Sequence, residues 1–341
     1  MGAPYRIVGV PASPYSRKMR AVMRCRRLPH QWVLSGSPGA RNLPPVPVPL
    51  LPILVFPARG NEPAEAMIDS TFQIRRLEES HTERALVPPN PALAFLDALI
   101  EDYADEWLTK AMFHYRWAFD PDIEKAKTIL PLFNQIGLPE EQWKTLGDVF
   151  SKRQIDRLSV VGSNAVTGPI IEESYRRLLG ALDAHLAEQP FVMGRRPGTA
   201  DFGLFGQLTQ LVLFDPTSAG VVLEAGPRVY AWCEIVEDLS GLEIDEGGWL
   251  SPEELPGTFI DILGEVGRVY PPFLLANAAA LDSGADQVEC TIDGQTWKQE
   301  PFPYQGKCLT WLRASYAALA PGDRAQVDGV LAGTGCEALF A

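Results

Sequence analysis

Ser13-Pro14-Tyr15-Ser16-Arg17-Lys18 is the stretch of this chain whose residue types best suit chemistry. A short apolar strand ending at Val10 runs into it, and an amphipathic basic helix follows. Ser13 therefore reads as an N-cap, with Pro14 at the first helical position. A hydroxyl placed there lies where free backbone N–H groups and the helix macrodipole favour an anion. The chemistry that fits is stabilisation of a ligand thiolate. A free thiol is mostly protonated near neutral pH, and a hydroxyl donor at a helix N-terminus, next to Arg17 and Lys18, is a means of lowering its pKa. Ser16 is the weaker hydroxyl candidate, and Tyr15 reads as a packing or pocket-lining side chain. The bland reading is that Ser13 only caps its helix.

The elements that must position this turn follow from the pattern on either side. Residues 5–10 form a first strand and 31–34 a second. Five prolines between Pro38 and Pro49 exclude a normal helix there. Residues 51–56 form a third, strongly apolar strand opened by Pro52, where a cis peptide would be a deliberate feature. Residues 66–68 form a fourth, and Asp69-Ser70 caps the next helix, with Ser70-Thr71-Phe72-Gln73 fitting a capping box. After Val87-Pro88-Pro89-Asn90-Pro91, the clearest linker, the pattern turns helical: to about Trp117, then 139–158, 169–188, a helix opened by Gly198-Thr199-Ala200-Asp201, and one begun by Pro227. The helix after Asp201 is apolar nearly all round and belongs in the core. On the first of these helices Asp102, Asp105 and Glu106 read as a solvated face. From Gly241 the pattern changes again. Residues 259–281 look helical but interrupted at Pro271-Pro272. Val288, Cys290 and Ile292 alternate ahead of Asp293-Gly294, a type I′ turn signal for a hairpin, and short helices over 306–319 and 322–331 close the chain.

With 341 residues, 46% of them hydrophobic, the chain is long enough for two or three domains. A net charge of −13 argues against nucleic acid or an anionic membrane as partner. The first 61 residues nevertheless hold nine cations and no acid, which suits an anionic small ligand, although each arginine taken singly reads as part of a solvated face. The five cysteines form no C-x-x-C pair and are odd in number, so they read as reduced thiols in a cytoplasmic protein. Met1-Gly2 begins a myristoylation pattern that fails at Arg6. No apolar run spans a bilayer. His30, His81, His114 and His185 are isolated, and no metal site is expected.

Four markers together carry a resemblance to the cytosolic glutathione transferase superfamily over roughly residues 5–240. Ser13-Pro14-Tyr15-Ser16 stands where that family places its catalytic turn. Leu51-Pro52-Ile53-Leu54 resembles its cis-proline segment, Asp69-Ser70 its acidic-Ser pair, and Gly198-Thr199-Ala200-Asp201 its buried capping motif. Three features depart from the pattern. Gly198 stands where Ser or Thr is usual, proline-rich sequence replaces the second thioredoxin-like helix, and the last hundred residues have no counterpart in ordinary members.

The resemblance implies a multidomain α/β plus all-α protein. Residues 1–84 form a thioredoxin-like βαβ-ββα glutathione-binding domain, 91–241 a helical bundle, and 242–341 an α+β extension. It implies glutathione as co-substrate and no metal, with Ser13 stabilising its thiolate for attack on a small apolar electrophile. Ser in place of Cys disfavours disulfide exchange. Pro52, if cis, would leave the flanking backbone free to pair with the cysteinyl part of glutathione, and Leu51 would offer those groups. Ser70 would hold the γ-glutamyl carboxylate and Asp69 its ammonium. Tyr15, Ser16 and Arg17 are secondary candidates. The electrophile pocket falls between the halves, where Trp107, Met112, Tyr115 and Trp117 stand, although such a stripe belongs more often to a core. Detoxification in the cytoplasm and a homodimer are the family expectations. A non-catalytic binding module on the same fold, or a glutathione-dependent lyase or isomerase, is the alternative.

Overall fold

The computed structural model describes residues 3–58 and 60–341, so Met1, Gly2 and Arg59 lie outside the described residues. The strands β1 (Tyr5–Gly9), β2 (His30–Leu34), β3 (Ile53–Phe56) and β4 (Glu65–Met67) form one sheet in the order β2-β1-β3-β4. β1 and β2 are parallel and joined by α1 (Pro14–Cys25), while β3 runs antiparallel to both β1 and β4. Met19, Val22 and Met23 of α1 share an apolar cluster with Ile7, Leu54 and, from α2 (Ser70–Ser80), Ile74 and Leu77. This is the βαβ-ββα unit the sequence predicts. β3 begins two residues later than predicted, with a cis Leu51-Pro52 bond just ahead of it. Proline has no N–H to give a ladder, which suits a position outside it.

The helical half opens with α3 (Pro91–Tyr103), a π turn (Ala104–Leu108) and α4 (Thr109–Ala118), where the sequence predicts one uninterrupted helix. It continues through α5 (Asp120–Asn134), α6 (Glu140–Ile155), α7 (Gly168–Leu186), α8 (Thr199–Leu213), α9 (Pro216–Ala225) and α10 (Pro227–Val236). α5 is not predicted, because Pro131 lies inside it. α8 is buried along nearly its whole length, as its all-round apolar surface requires. Its start explains the unusual Gly198. Asp97 of α3 accepts from the Thr199 N–H (2.9 Å), the Thr199 hydroxyl (2.6 Å) and the Ala200 N–H (3.0 Å). A Cβ on Gly198 would lie 2.4 Å from Asp97 Oδ1. The cap is supplied from a neighbouring helix, and only glycine leaves room for it.

The extension is helix α11 (Gly257–Ser283), the hairpin β5 (Val288–Ile292) and β6 (Gln295–Gln299), α12 (Pro303–Ala318) and α13 (Pro321–Leu331). Asp293 and Gly294 have φ of 51° and 74°, the left-handed pair a type I′ turn needs. α11 runs straight through Pro271-Pro272, against the predicted interruption. Tyr270, Phe273 and Leu274 are completely buried around the prolines, so packing outweighs the local cost of about 3 kcal/mol per interior proline. The main apolar core is one cluster that includes Tyr5 of β1, α3, α7, α8 and α11 and ends at Leu339. No described helix is long and apolar enough to cross a membrane.

Candidate active site

Ser13 is the N-cap of α1, and its Oγ accepts the Ser16 N–H at 3.2 Å. Its own O–H donates to nothing among the described residues, which leaves that hydrogen available. Ser16, in contrast, is completely buried, and its Oγ has no partner. It lies against Gly9, where an added Cβ would come within 2.6 Å of the Oγ. Ser16 is thereby removed from solvent and from ligand. Tyr15 donates its hydroxyl hydrogen to the Asp105 carbonyl at 2.8 Å. Burial, with Glu106 and Asp105 nearby, holds its phenol well above the ordinary tyrosine pKa.

The cations of α1 do not face an open anion site. Arg17 (3.1 Å), Arg20 and Arg24 (2.7 Å) converge on Glu237, just past α10. Arg26 pairs with Glu78 and Arg27 with Glu243. Arg17, expected near the ligand, is thus an inter-helix clamp. Lys18 is completely buried between Glu101 (2.7 Å) and Asp105 (2.5 Å) of the helical half. Burial alone would lower its pKa, but Asp105 and Glu101 hold it above the ordinary lysine value. Arg17, Lys18, Arg20 and Arg24 therefore serve to fasten the two halves together.

Leu51, Pro52, Asp69 and Ser70 come together on one wall of a cavity of about 460 Å³, which Tyr15 also lines. Ser13 is not among its lining residues. The β1–β3 register sets Val8 opposite Ile53, so the Leu51-Pro52 end of β3 runs alongside the chain leaving β1 toward Ser13. Gln73 fixes the wall by donating to the carbonyls of Pro52 (2.9 Å) and Met67 (2.7 Å). This tie is a role the capping-box reading of the sequence does not contain. Asp69 has φ 71° and caps α2 through Oδ1, which accepts the Thr71 N–H at 3.2 Å. Its other oxygen, Oδ2, accepts a hydrogen bond from Tyr304 of α12. Trp311 of the same helix packs edge-on against Phe72, with centroids 5.1 Å apart. The extension therefore forms the opposite wall of the cavity, over the N-terminus of α2.

The helix carrying the second half's acids faces the cavity as well. Asp105 and Glu106 are buried, and Asp102 is half-buried, accepting from Tyr270 at 2.6 Å. This corrects the solvated face expected for them: α11 and α12 cover it, and Gln305 donates to the Glu106 carbonyl at 3.0 Å. Burial first, then mutual repulsion, pushes the Glu106 carboxyl up to about 8 and that of Asp102 to about 7. Three acids on a stripe that also holds Leu99, Ile100, Tyr103 and Trp107 were the available signal. Trp107, Met112, Tyr115 and Trp117 are buried in the cores and do not line the cavity. Thr109, Lys110, Val160 and Val161 do. Among the described residues no group of side chains has the make-up of a metal site.

Comparison with known families finds that a model described as glutathione S-transferase, N-terminal domain, matches residues 7–85, and one described as glutathione S-transferase, C-terminal domain, matches residues 152–234. Solved structures this chain is similar to include a glutathione S-transferase from Methylobacterium radiotolerans in complex with glutathione sulfonate. It is 20% identical, with 72% of this chain and 99% of that chain covered and a TM-score of 0.37. Others are FzlA from C. crescentus (18%, 73% and 96%, 0.43) and a maleylacetoacetate isomerase from Anaeromyxobacter dehalogenans with bound GSH (18%, 68% and 94%, 0.34). A comparison with curated proteins finds no match.

Proposed function

This chain belongs to the glutathione transferase superfamily, and from that membership and the geometry of the cavity we propose that it binds glutathione and directs its thiolate at a small electrophile. The observation that carries this reading is the shared wall: Leu51, Pro52, Asp69 and Ser70, from two separate segments, line one cavity. Leu51, just ahead of β3, offers its backbone to the cysteinyl unit, with Pro52 beside it on the wall. The N-terminus of α2, with Ser70, suits the γ-glutamyl carboxylate, and Asp69 suits its ammonium. Ser13 is the donor to sulfur, because its hydroxyl hydrogen is uncommitted whereas that of Tyr15 is used on Asp105. The lowered thiol pKa follows from that donor and the N-terminus of α1, with Arg17 and Lys18 taking no part.

The reading is tested by titrating the thiol of bound glutathione by ultraviolet absorbance. Its pKa is expected below the solution value, and Ser13→Ala should raise it and slow conjugation of an aryl halide together. Unchanged values in Ser13→Ala would remove Ser13 from the chemistry. The binding-module reading draws on one observation, the bond from Tyr304 to Asp69, which sets the extension against the wall proposed here for glutathione. Glutathione binding without any conjugation across a panel of electrophiles would favour it.

A further inference from the structure

The charge on the cavity wall is one-sided. Asp69, Glu101, Asp102, Asp105 and Glu106 line it, against two cations, Arg75 and Lys110. Neither cation forms an ion pair with these acids. Arg75 lies over the Phe72 ring, 5.5 Å from its centroid. Lys110 Nζ points the other way, donating to Gln299 Oε1 (3.0 Å) and the Val161 carbonyl (3.2 Å), 4.1 Å from the Phe273 centroid. Lys18 answers Glu101 and Asp105 from behind. Asp69 and Asp102 have no ion-pair partner among the described residues, and Glu106 has only the charge of Lys110, beyond ion-pair distance.

The unmet hydrogen bonds have the same sign. Asp105 Oδ1 and Gln305 Oε1 belong to side chains that line the cavity, are more than nine-tenths buried, and accept no hydrogen bond. Both are acceptors, so this part of the wall lacks donors. The remaining walls are aromatic: Phe72, Phe95, Phe302, Tyr304 and Trp311. Aromatic faces with carboxylates behind them are the surroundings in which an organic cation is most strongly held. Asp105 and Glu106 also lie in the π turn, a local widening of the helix that is frequent at functional sites.

We propose that the cavity receives a ligand with a positively charged nitrogen on an apolar body, and that the second substrate belongs to this class. The second clause rests on the glutathione reading above; the charge preference does not. A neutral apolar electrophile would leave the acids as they are, whereas a cation takes the place of protons held by Glu106 and Asp102, so its binding releases protons.

The test uses the full-length protein without glutathione, and calorimetric titration with benzyltrimethylammonium, benzyl alcohol and benzenesulfonate. The cation should bind at least tenfold more tightly than the alcohol, and the sulfonate should not bind. Heats measured in buffers of different ionisation enthalpy should show proton release with the cation. Glu106→Gln and Asp102→Asn, with melting curves confirming that they fold, should each weaken the cation severalfold and leave the alcohol unaffected. Equal binding of the alcohol would overturn the proposal. Glutathione is titrated separately. If it binds while the cation shows no preference, this inference fails and the glutathione reading stands. If the cation is preferred and glutathione does not bind, the charge preference stands and the glutathione reading fails.

Discussion

Tyr304, near the start of α12, donates its hydroxyl hydrogen to Oδ2 of Asp69, the residue that caps α2. The bond joins the part of the chain beyond the matched family models to the carboxylate proposed to take the ammonium of glutathione. Burial and the Asp69 bond both keep the Tyr304 phenol protonated, so the contact persists across the working pH range. Glutathione bound as proposed would share or displace it. Tyr304→Phe frees Oδ2 and is expected to tighten glutathione binding about tenfold, the worth of one hydrogen bond to a charged group. Fluorescence titration checks this, and a weaker affinity in the variant would make Tyr304 a ligand contact instead.

Lys18 holds two buried carboxylates from the opposite half of the molecule. Replacing it by Met leaves Glu101 and Asp105 buried without their cation. Lys18→Met is expected to cost ~3–5 kcal/mol in urea unfolding, because breaking a buried pair strands its charges. A loss under about 1 kcal/mol would mean that the carboxylates take up protons at little cost.

Much of this was legible in the sequence. Pro52, Asp69-Ser70 and Gly198–Asp201 could be read because each obeys a local rule about proline, caps or helix starts, and Asp293-Gly294 marked its hairpin for the same reason. What stayed hidden depends on contacts far apart in the chain. Arg17 and Lys18 look like free cations until Glu237, Glu101 and Asp105 are brought to them. Asp102, Asp105 and Glu106 look solvated until α11 and α12 cover them. Pro271-Pro272 reads as a break because local propensity cannot register how deeply Tyr270 and Phe273 are buried.

The extension belongs to the core. Phe259, Ile262, Leu263, Val266, Val269 and Tyr270 of α11 are completely buried in the cluster that includes α3 and α7. Each contributes about 1.5–3 kcal/mol of burial. Deleting residues 242–341 is expected to give insoluble protein. A soluble, cooperatively melting product would show that the extension is only a cover.

Glu106 links stability to pH. Its folded-state pKa of about 8 lies above the ordinary carboxyl value, chiefly through burial and then through Asp102 and Asp105. The stability it contributes is therefore present at acid pH and is lost as pH rises through about 8. Glu106→Gln has no such loss. Between about pH 5.5 and pH 8 the melting temperature of Glu106→Gln should gain a few degrees on that of the wild type. A constant difference would mean that Glu106 is ionised throughout.

Calorimetric titration of glutathione into the full-length protein, beside Asp69→Asn, decides whether the cavity binds glutathione through Asp69. Asparagine keeps the α2 cap and removes the charge. Saturable one-site binding is expected at millimolar glutathione or below, weakened about tenfold in Asp69→Asn at unchanged melting temperature. No saturable heat at millimolar glutathione, or equal affinity in the two proteins, would contradict it.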